Sequence, residues 1–377
     1  MRVVIVTMRY LGDCIVSAAL AESVKKQFPD AEVWMLTYKK NTSILEGIES
    51  IDGILGFEDH PSYLKQIQDF RGIWKTFDWA FITHKSTRAC LYGAIAGKRS
   101  VMHSTRLNLK TSWCRFAVTD FVDIPGALHK IDEVALLLKP LLGYVPAPEP
   151  IAPYAPLPKK YEERLFERPY VVFHLCSQYE DKNVAIETWK QIGERLIRSG
   201  FRIVFTGGGS KKETSEIKAV SSDWEVKDYL VVSGKLSFGA TGALLRKANL
   251  YIGVDTATTH VAAATGCPTI ALFGPTSVVR WGPACRNASR AYRNDLAVQR
   301  LGNVSVIRNK DFLQCHACRS RKEGRCSLSE NPRLSKCLQT LAPETIWREV
   351  EYWLFNTNLG AKEERTIERS RETGRVN

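Results

Sequence analysis

Two hydrophobic periods take turns along this chain. Residues 3–6 (VVIV) form a continuous apolar run of strand length, and over residues 15–28 apolar positions recur at helical spacing until Pro29-Asp30 stops them. Residues 33–36 are a second short apolar run, so strand, helix and strand succeed one another and predict a βαβ unit. Such a unit implies a parallel sheet with a right-handed crossover. Further apolar runs at 80–82 and 100–102, separated by polar helical stretches, carry the α/β pattern towards Leu142.

Residues 145–158 then hold six of the sixteen prolines: Pro146, Pro148, Pro150, Pro153, Pro156 and Pro158. Proline has no N–H and a fixed φ, so this stretch suits neither a helix interior nor a central strand and reads as a linker. After it the pattern restarts. Strands are expected at 170–175, 202–206, 230–232, 250–254 and 269–273. Helices are expected at 188–199, 213–220, 239–247, 258–265 and 342–354, before a polar tail beyond Gly360. At 377 residues the chain is too long for one compact core. The expected organisation is an α/β protein with a Rossmann-like half over 1–145, a Pro-rich linker over 146–160 and a second Rossmann-like half over 161–340. A C-terminal helix and tail follow over 341–377. In two such doubly wound halves, ligands belong at the carboxyl ends of the strands, in the cleft between them. The first βα turn has one glycine and no G-x-G-x-x-G, which argues against a dinucleotide there.

Composition narrows the class. The hydrophobic fraction of 44% and charged fraction of 25% are those of an ordinary soluble protein, and no run of eighteen apolar residues predicts a spanning helix. The apolar start is too short for a signal-peptide core, so a cytoplasmic location is expected. The net charge of +13 is uneven: residues 280–337 carry thirteen Lys/Arg against four Asp/Glu, and residues 1–145 eighteen against fifteen. A basic field attracts phosphate, whether on nucleic acid, lipid or a small substrate, and a solvated surface would look the same. The segment lacks the interleaved aromatics that stack bases, which disfavours nucleic acid.

Of the ten cysteines, Cys14, Cys90, Cys114, Cys176, Cys267 and Cys285 are scattered and read as small core residues. Cys315-x2-Cys318-x7-Cys326-x10-Cys337 is a separate cluster. Four thiolates suit structural zinc or iron, but the second pair is not C-x-x-C, so a disulfide or free thiols stay open. No catalytic metal is expected.

Three constellations carry candidate chemistry. Leu11-Gly12-Asp13 follows the first strand: Gly12 permits a tight turn, and Asp13 is either a general base facing the cleft or a helix N-cap. Residues 253–260 (GVDTATTH) run from a strand into a helix, whose unpaired N–H groups and dipole can hold a diphosphate without a metal. There Asp255 and Thr256 open the helix, and Ala257 is small enough for an anion to approach. His260 can donate to a phosphate or simply pack. Residues 176–182 (CSQYEDK) offer Lys182 as a mobile cation for a leaving diphosphate, or as a solvated loop lysine. Gly207-Gly208-Gly209 allows a nucleoside close approach.

These residues together resemble glycosyltransferase family 9, which includes the ADP-heptose:lipopolysaccharide heptosyltransferases of Gram-negative bacteria. The match rests on V-x-x-R-x-L-G-D near the start, a lysine in the first loop of the second half, and G-V-D-T-x-x-x-H-x-A-A-A with L-F-G-P-T. The resemblance implies a GT-B fold and inverting transfer of heptose from ADP-heptose to the lipopolysaccharide inner core, with Asp13 as general base. It implies donor contacts from Ser177, Lys182, Gly207, Glu213, Asp255, Thr256, Ala257 and His260. Arg9, Gly12 and Arg106, with Lys110, are the expected acceptor contacts. ADP-heptose is then a substrate, no cofactor is required, and peripheral contact with the inner face of the inner membrane is expected. Two departures stand out: the residue matching Ala257 is commonly glycine, and only Ser177 remains of the Thr or Ser pair usual before the lysine. A family relative using another sugar or a protein acceptor, a nucleotide-sugar epimerase or hydrolase of related architecture, and a basic binding protein are the alternative readings.

Overall fold

A computed structural model describes residues 1–104, 112–165, 167–315 and 326–356. It contains two sheets, one on either side of the proline run. The first holds β1 (Arg2–Thr7), β2 (Glu32–Tyr38), β3 (Gly53–Phe57), β4 (Phe77–Ile82), β5 (Gly97–His103) and β6 (Asp120–Val122). They are all parallel, in the order β3-β2-β1-β4-β5-β6. This is the Rossmann order. Central β1 reads as unbroken valine and isoleucine because both its faces are covered, and Val3, Val4, Ile5 and Val6 are fully buried.

The second sheet holds β7 (Tyr170–His174), β8 (Arg202–Phe205), β9 (Tyr229–Val231), β10 (Leu250–Val254), β11 (Thr269–Leu272), β12 (Val298–Leu301) and β13 (Val304–Ile307). Its order is β12-β13-β11-β10-β7-β8-β9. Only β12 runs antiparallel, as an edge strand on β13. With that edge set aside, the second sheet repeats the order of the first. Each sheet therefore has a switch point where the strand order reverses, between β1 and β4 and between β7 and β10. Crevices open there at the carboxyl ends of the strands.

The two halves share one apolar core. The helix Leu11–Gln27, which follows β1, packs on the helix Ala257–Ala264, which follows β10. Ala18, Ala19 and Ala21 of the first helix and Val261 and Ala262 of the second are buried in one cluster with Val3 and Tyr251. Small side chains let the two backbones approach closely. The linker is also seated rather than free. Tyr154 N–H donates to Gly47 O at 3.0 Å, and Ile151 and Leu157 are buried. A Cβ on Gly47 would lie 2.1 Å from Tyr154 O, and one on Gly242 would lie 2.1 Å from Pro153 O. Gly47 sits before the linker and Gly242 after it, so glycine lets both halves grip the extended segment.

Several features depart from the sequence expectations. The first helix begins at Leu11 rather than Ile15, so Gly12 lies in a helical first turn. Its φ is not positive, and open space surrounds the position of a Cβ, so Gly12 does not make a tight turn. Cys90 and Cys114 are core residues, as read, and are in addition paired as a disulfide. Strands β3, β6, β12 and β13 have no counterpart in the apolar runs: β3 and β6 are short and half-exposed, and β13 lies inside the basic stretch. Part of the basic excess of 280–337 is paired within the protein. Arg280 pairs with Glu133, Arg286 with Glu22 and Arg290 with Asp132, all across the two halves, while Arg300 pairs with Glu349. No helix among the described residues is long and apolar enough to cross a membrane.

Candidate active site

Asp13 is the third residue of the Leu11–Gln27 helix, whose N-cap is Tyr10. It is therefore not the cap. It is 5% exposed, its Oδ1 has no hydrogen-bond partner, and its Oδ2 lies 3.9 Å from Arg9 Nε. Burial raises its pKa, opposed by Arg9, Lys130, the Tyr10 backbone N–H and Arg280. Arg280 belongs to the short helix Val278–Trp281 of the second half. A carboxylate of the first half thus feels a guanidinium of the second, which places Asp13 at the seam.

Three loops of the second half leave the same end of its sheet because β10, β7 and β8 are adjacent parallel strands. After β7, Ser177 Oγ accepts from Tyr179 N–H at 3.1 Å, and Ser177 N–H donates to Asn183 Oδ1 at 2.8 Å. Lys182 follows in a short turn, Glu180–Lys182. Its Nζ donates to Asp255 Oδ2 at 2.6 Å, so it is pinned rather than mobile. After β10, Thr256 is the N-cap of the Ala257–Ala264 helix and makes no side-chain cap bond. Thr259 Oγ1, on that turn, donates back to Val254 O at 2.5 Å. The first-turn N–H groups at half-buried Ala257 are thus left without a side-chain acceptor, the condition for holding an anion.

His260, one turn on, is buried and its pKa falls to about 4, with Asp255 opposing the fall and His129 and Lys182 adding to it. It is neutral at pH 7 and has one N–H to donate. After β8, Gly207 is followed by Glu213, whose Oε1 accepts from Gly208 N–H at 3.0 Å and Oε2 from Ser210 N–H at 2.8 Å. This capping box gives Glu213 a structural occupation that the sequence reading did not assign.

An aromatic pair bridges the halves at the mouth. Tyr10 and Tyr179 meet edge-on at 5.8 Å, with the Arg9 guanidinium 5.7 Å from the Tyr10 ring and Lys182 Nζ 6.0 Å from Tyr179. The chain of contacts from Asp13 through Arg9, Tyr10, Tyr179 and Lys182 to Asp255 is continuous. The sequence reading assigned no role to four further groups of the first half. His84 is half-buried and His103 buried, and loss of solvent depresses them to about 3 and about 4. Lys130 and Glu133 are buried at 3% and 4% and bonded at 2.8 Å. In the sequence the pair is a Lys and a Glu three apart, indistinguishable from a solvated surface pair.

Arg106, Lys110 and Cys318 lie outside the described residues. Cys315, Cys326 and Cys337 are free thiols, and Cys315 and Cys326 both raise the Cys337 thiol, after burial, so the three are neighbours. Among the described residues, no group of three or more His, Cys, Asp or Glu is arranged to hold a metal.

Two doubly wound sheets facing each other, each with a switch point on the shared seam, make a GT-B fold. The sequence matches glycosyltransferase family 9 (heptosyltransferase) over residues 98–301, more than half of the chain, and the protein belongs to that family. It is 23% identical over 299 residues to lipopolysaccharide heptosyltransferase 3 of Escherichia coli, covering 76% of this chain and 88% of the relative. Among solved structures it resembles the family 9 glycosyl transferase of Veillonella parvula DSM 2008, with a TM-score of 0.71, 18% identity and coverage of 94% and 97%. It also resembles the ADP-heptose LPS heptosyltransferase II of E. coli, with a TM-score of 0.69, 15% identity and coverage of 95% and 100%.

Proposed function

We propose that this glycosyltransferase moves a heptose from ADP-heptose to a hydroxyl of the lipopolysaccharide inner core, with inversion at the anomeric carbon. The observation that carries the reading is a buried carboxylate with an open oxygen, Asp13, set across a seam from an uncapped helix start flanked by Lys182 and neutral His260. Asp13 takes the acceptor proton as the acceptor oxygen attacks the anomeric carbon. The bond from that carbon to the ADP oxygen breaks, and the developing diphosphate charge falls on the N–H groups at Ala257, on Lys182 and on the His260 N–H. Fixed dipoles and a pinned cation stabilise that charge without reorganising, typically worth about 3–4 kcal/mol for one such contact. The raised pKa of Asp13 makes it a stronger base than an exposed aspartate.

In this reading the first half, to about residue 145, takes the acceptor and the second half takes the donor, with the segment 146–160 between them. Ser177, Gly207, Glu213, Asp255, Thr256 and Ala257 line the donor side. Arg9 and Gly12 line the acceptor side: Arg9 is half-exposed and Gly12 leaves open space beside it. The site is assigned to the cytoplasmic face of the inner membrane of a Gram-negative cell, with peripheral contact, because the names of the relatives place their acceptor in lipopolysaccharide. The test is incubation with ADP-heptose and a lipopolysaccharide core lacking heptose, followed by mass spectrometry. A gain of one heptose with release of ADP is expected only when both are present. Free heptose from donor alone would instead identify a hydrolase, and exclusive transfer of another sugar would overturn the donor assignment.

A further inference from the structure

The helix that carries Asp13, Leu11–Gln27, packs on the helix Lys130–Ala135, which holds charges that the transfer chemistry has not used. Lys130 and Glu133 occupy the helix Lys130–Ala135 of the first half. Lys130 Nζ donates to Glu133 Oε1 at 2.8 Å and to Thr83 O, just beyond β4, at 3.1 Å. Those two bonds leave one of the three ammonium N–H groups uncommitted among the described residues. From the other half, Arg280 Nη2 reaches Glu133 Oε2 at 2.5 Å. That contact pairs charges without an aligned hydrogen bond, since Oε2 has no hydrogen-bond donor. Asp13, also buried, carries the matching deficiency in its unpartnered Oδ1.

We propose that Lys130 is a positioning residue for Asp13, set by an ion-pair relay, Arg280–Glu133–Lys130, that is complete only when the two halves are docked. The inference rests on Asp13 being the base. Asp13 and Glu133 face the cations Arg9, Lys130 and Arg280, with Lys85 beside Glu133, and among these Arg280 is the one supplied by the other half. Buried ions are tolerated when paired, and removing one partner leaves an uncompensated charge in a low-dielectric site. Withdrawal of Arg280 leaves Glu133 to claim Lys130 alone, and Asp13 loses cationic support. Docked halves restore it, so the base is set as an ion where donor and acceptor have been brought together.

The groups facing Asp13 are few enough for the effect to be read. Arg9 comes from its own loop, Lys130 from the Lys130–Ala135 helix, Arg280 from the second half, and the Tyr10 N–H from the helix start. His84, beyond β4, and His103, at the end of β5, are neutral at pH 7. Lys85 lies beside Glu133 and Arg280. Cys14, the next residue, is pushed up to about 12 by burial and stays a thiol.

The experiment compares pH profiles of kcat/KM for the full-length enzyme with Lys130→Gln, Arg280→Gln, Arg280→Lys and Asp13→Asn, alongside ADP affinity by calorimetry. Lys130→Gln and Arg280→Gln are expected to displace the acidic limb to higher pH. The loss should be roughly tenfold greater at about pH 6 than at about pH 8.5, larger for Lys130, with ADP affinity unchanged. Arg280→Lys should return the limb towards wild type. Arg280 is half-exposed, so its variants test the relay even if Lys130→Gln folds poorly. Inactive Asp13→Asn together with an unmoved limb in Arg280→Gln would overturn the relay while leaving Asp13 as the base. Full activity in Asp13→Asn would overturn the base itself, and the relay with it.

Discussion

The two switch points share a strand order and a helix after the first crossover, yet they have been given opposite electrostatic tasks. At the β1/β4 point the helix start carries a buried carboxylate with an open oxygen, and the cations around it, Arg9, Lys130 and Arg280, come from elsewhere. At the β7/β10 point the helix start carries no side-chain cap, and the carboxylate there, Asp255, is neutralised by Lys182. A helix N-terminus favours negative charge in either case. The first half supplies that negative charge from its own chain, and the second leaves the place free for an incoming one. The same fold therefore makes a base on one side and an anion cradle on the other, by the choice of one residue within the first helical turn.

The sharpest way to break this contrast is to exchange the chemistry of the two sides separately. Asp13→Asn keeps the shape and removes the base, and its kcat is expected to fall by about 10²–10³-fold with ADP affinity intact. Lys182→Ala removes the counter-ion of Asp255 as well as a donor to the leaving group. Its kcat should fall by about 10²-fold, and its donor KM should rise too. Stopped-flow transfer assays with calorimetric ADP titrations check both. Equal effects of the two substitutions on ADP affinity would abolish the division of labour.

A smaller effect is expected in stability against pH. Burial depresses His84 to about 3 and His103, His174 and His260 to about 4, against an ordinary value of 6.5. Between those values the unfolded chain binds more protons than the folded one, so stability is complete above about pH 6.5 and declines as pH falls towards 4. Calorimetric unfolding across that range should show the midpoint falling with acid. His103 belongs to the first half and His174 and His260 to the second, so His103→Asn and His174→Asn should each reduce the slope and show whether the halves unfold together.

The smallest effect concerns the seam. Arg290 Nε and Nη2 bond Asp132 Oδ1 at 3.1 and 2.7 Å, the arginine mostly buried and the aspartate partly exposed. Arg290→Ala should cost about 1–2 kcal/mol after allowance for solvent screening. The thermal midpoint should drop with little change in kcat. A large loss of kcat would mean that this contact, and not only Arg280, sets the geometry of Asp13.

Much of this protein was legible as pattern. The strand-helix period changes marked most of the buried strands, and L-G-D and G-V-D-T-x-x-x-H lay at strand ends, where an α/β sheet exposes its loops. What periodicity missed was weakly patterned. β3 and β6 are short and half-exposed, and β12 and β13 hide in a basic stretch whose arginines looked solvated but clamp the two halves. Gly12 looked like a turn glycine and is helical, because Tyr10 takes the cap. Glu213, read as a donor contact, also closes a capping box, which its own Ser210-x-x-Glu213 spacing already contained.

The amino-acid order alone determined the two α/β halves, the proline break between them and the residues that cap or open each strand end, because those follow from local periodicity and backbone chemistry. Only the tertiary structure decided which charges meet. Lys130, Glu133 and Arg280 are unremarkable apart, and Arg280 is 147 positions from its partner. Their pairing arises from docking one alanine-rich helix on another, and long-range Coulomb partners leave no trace in local sequence.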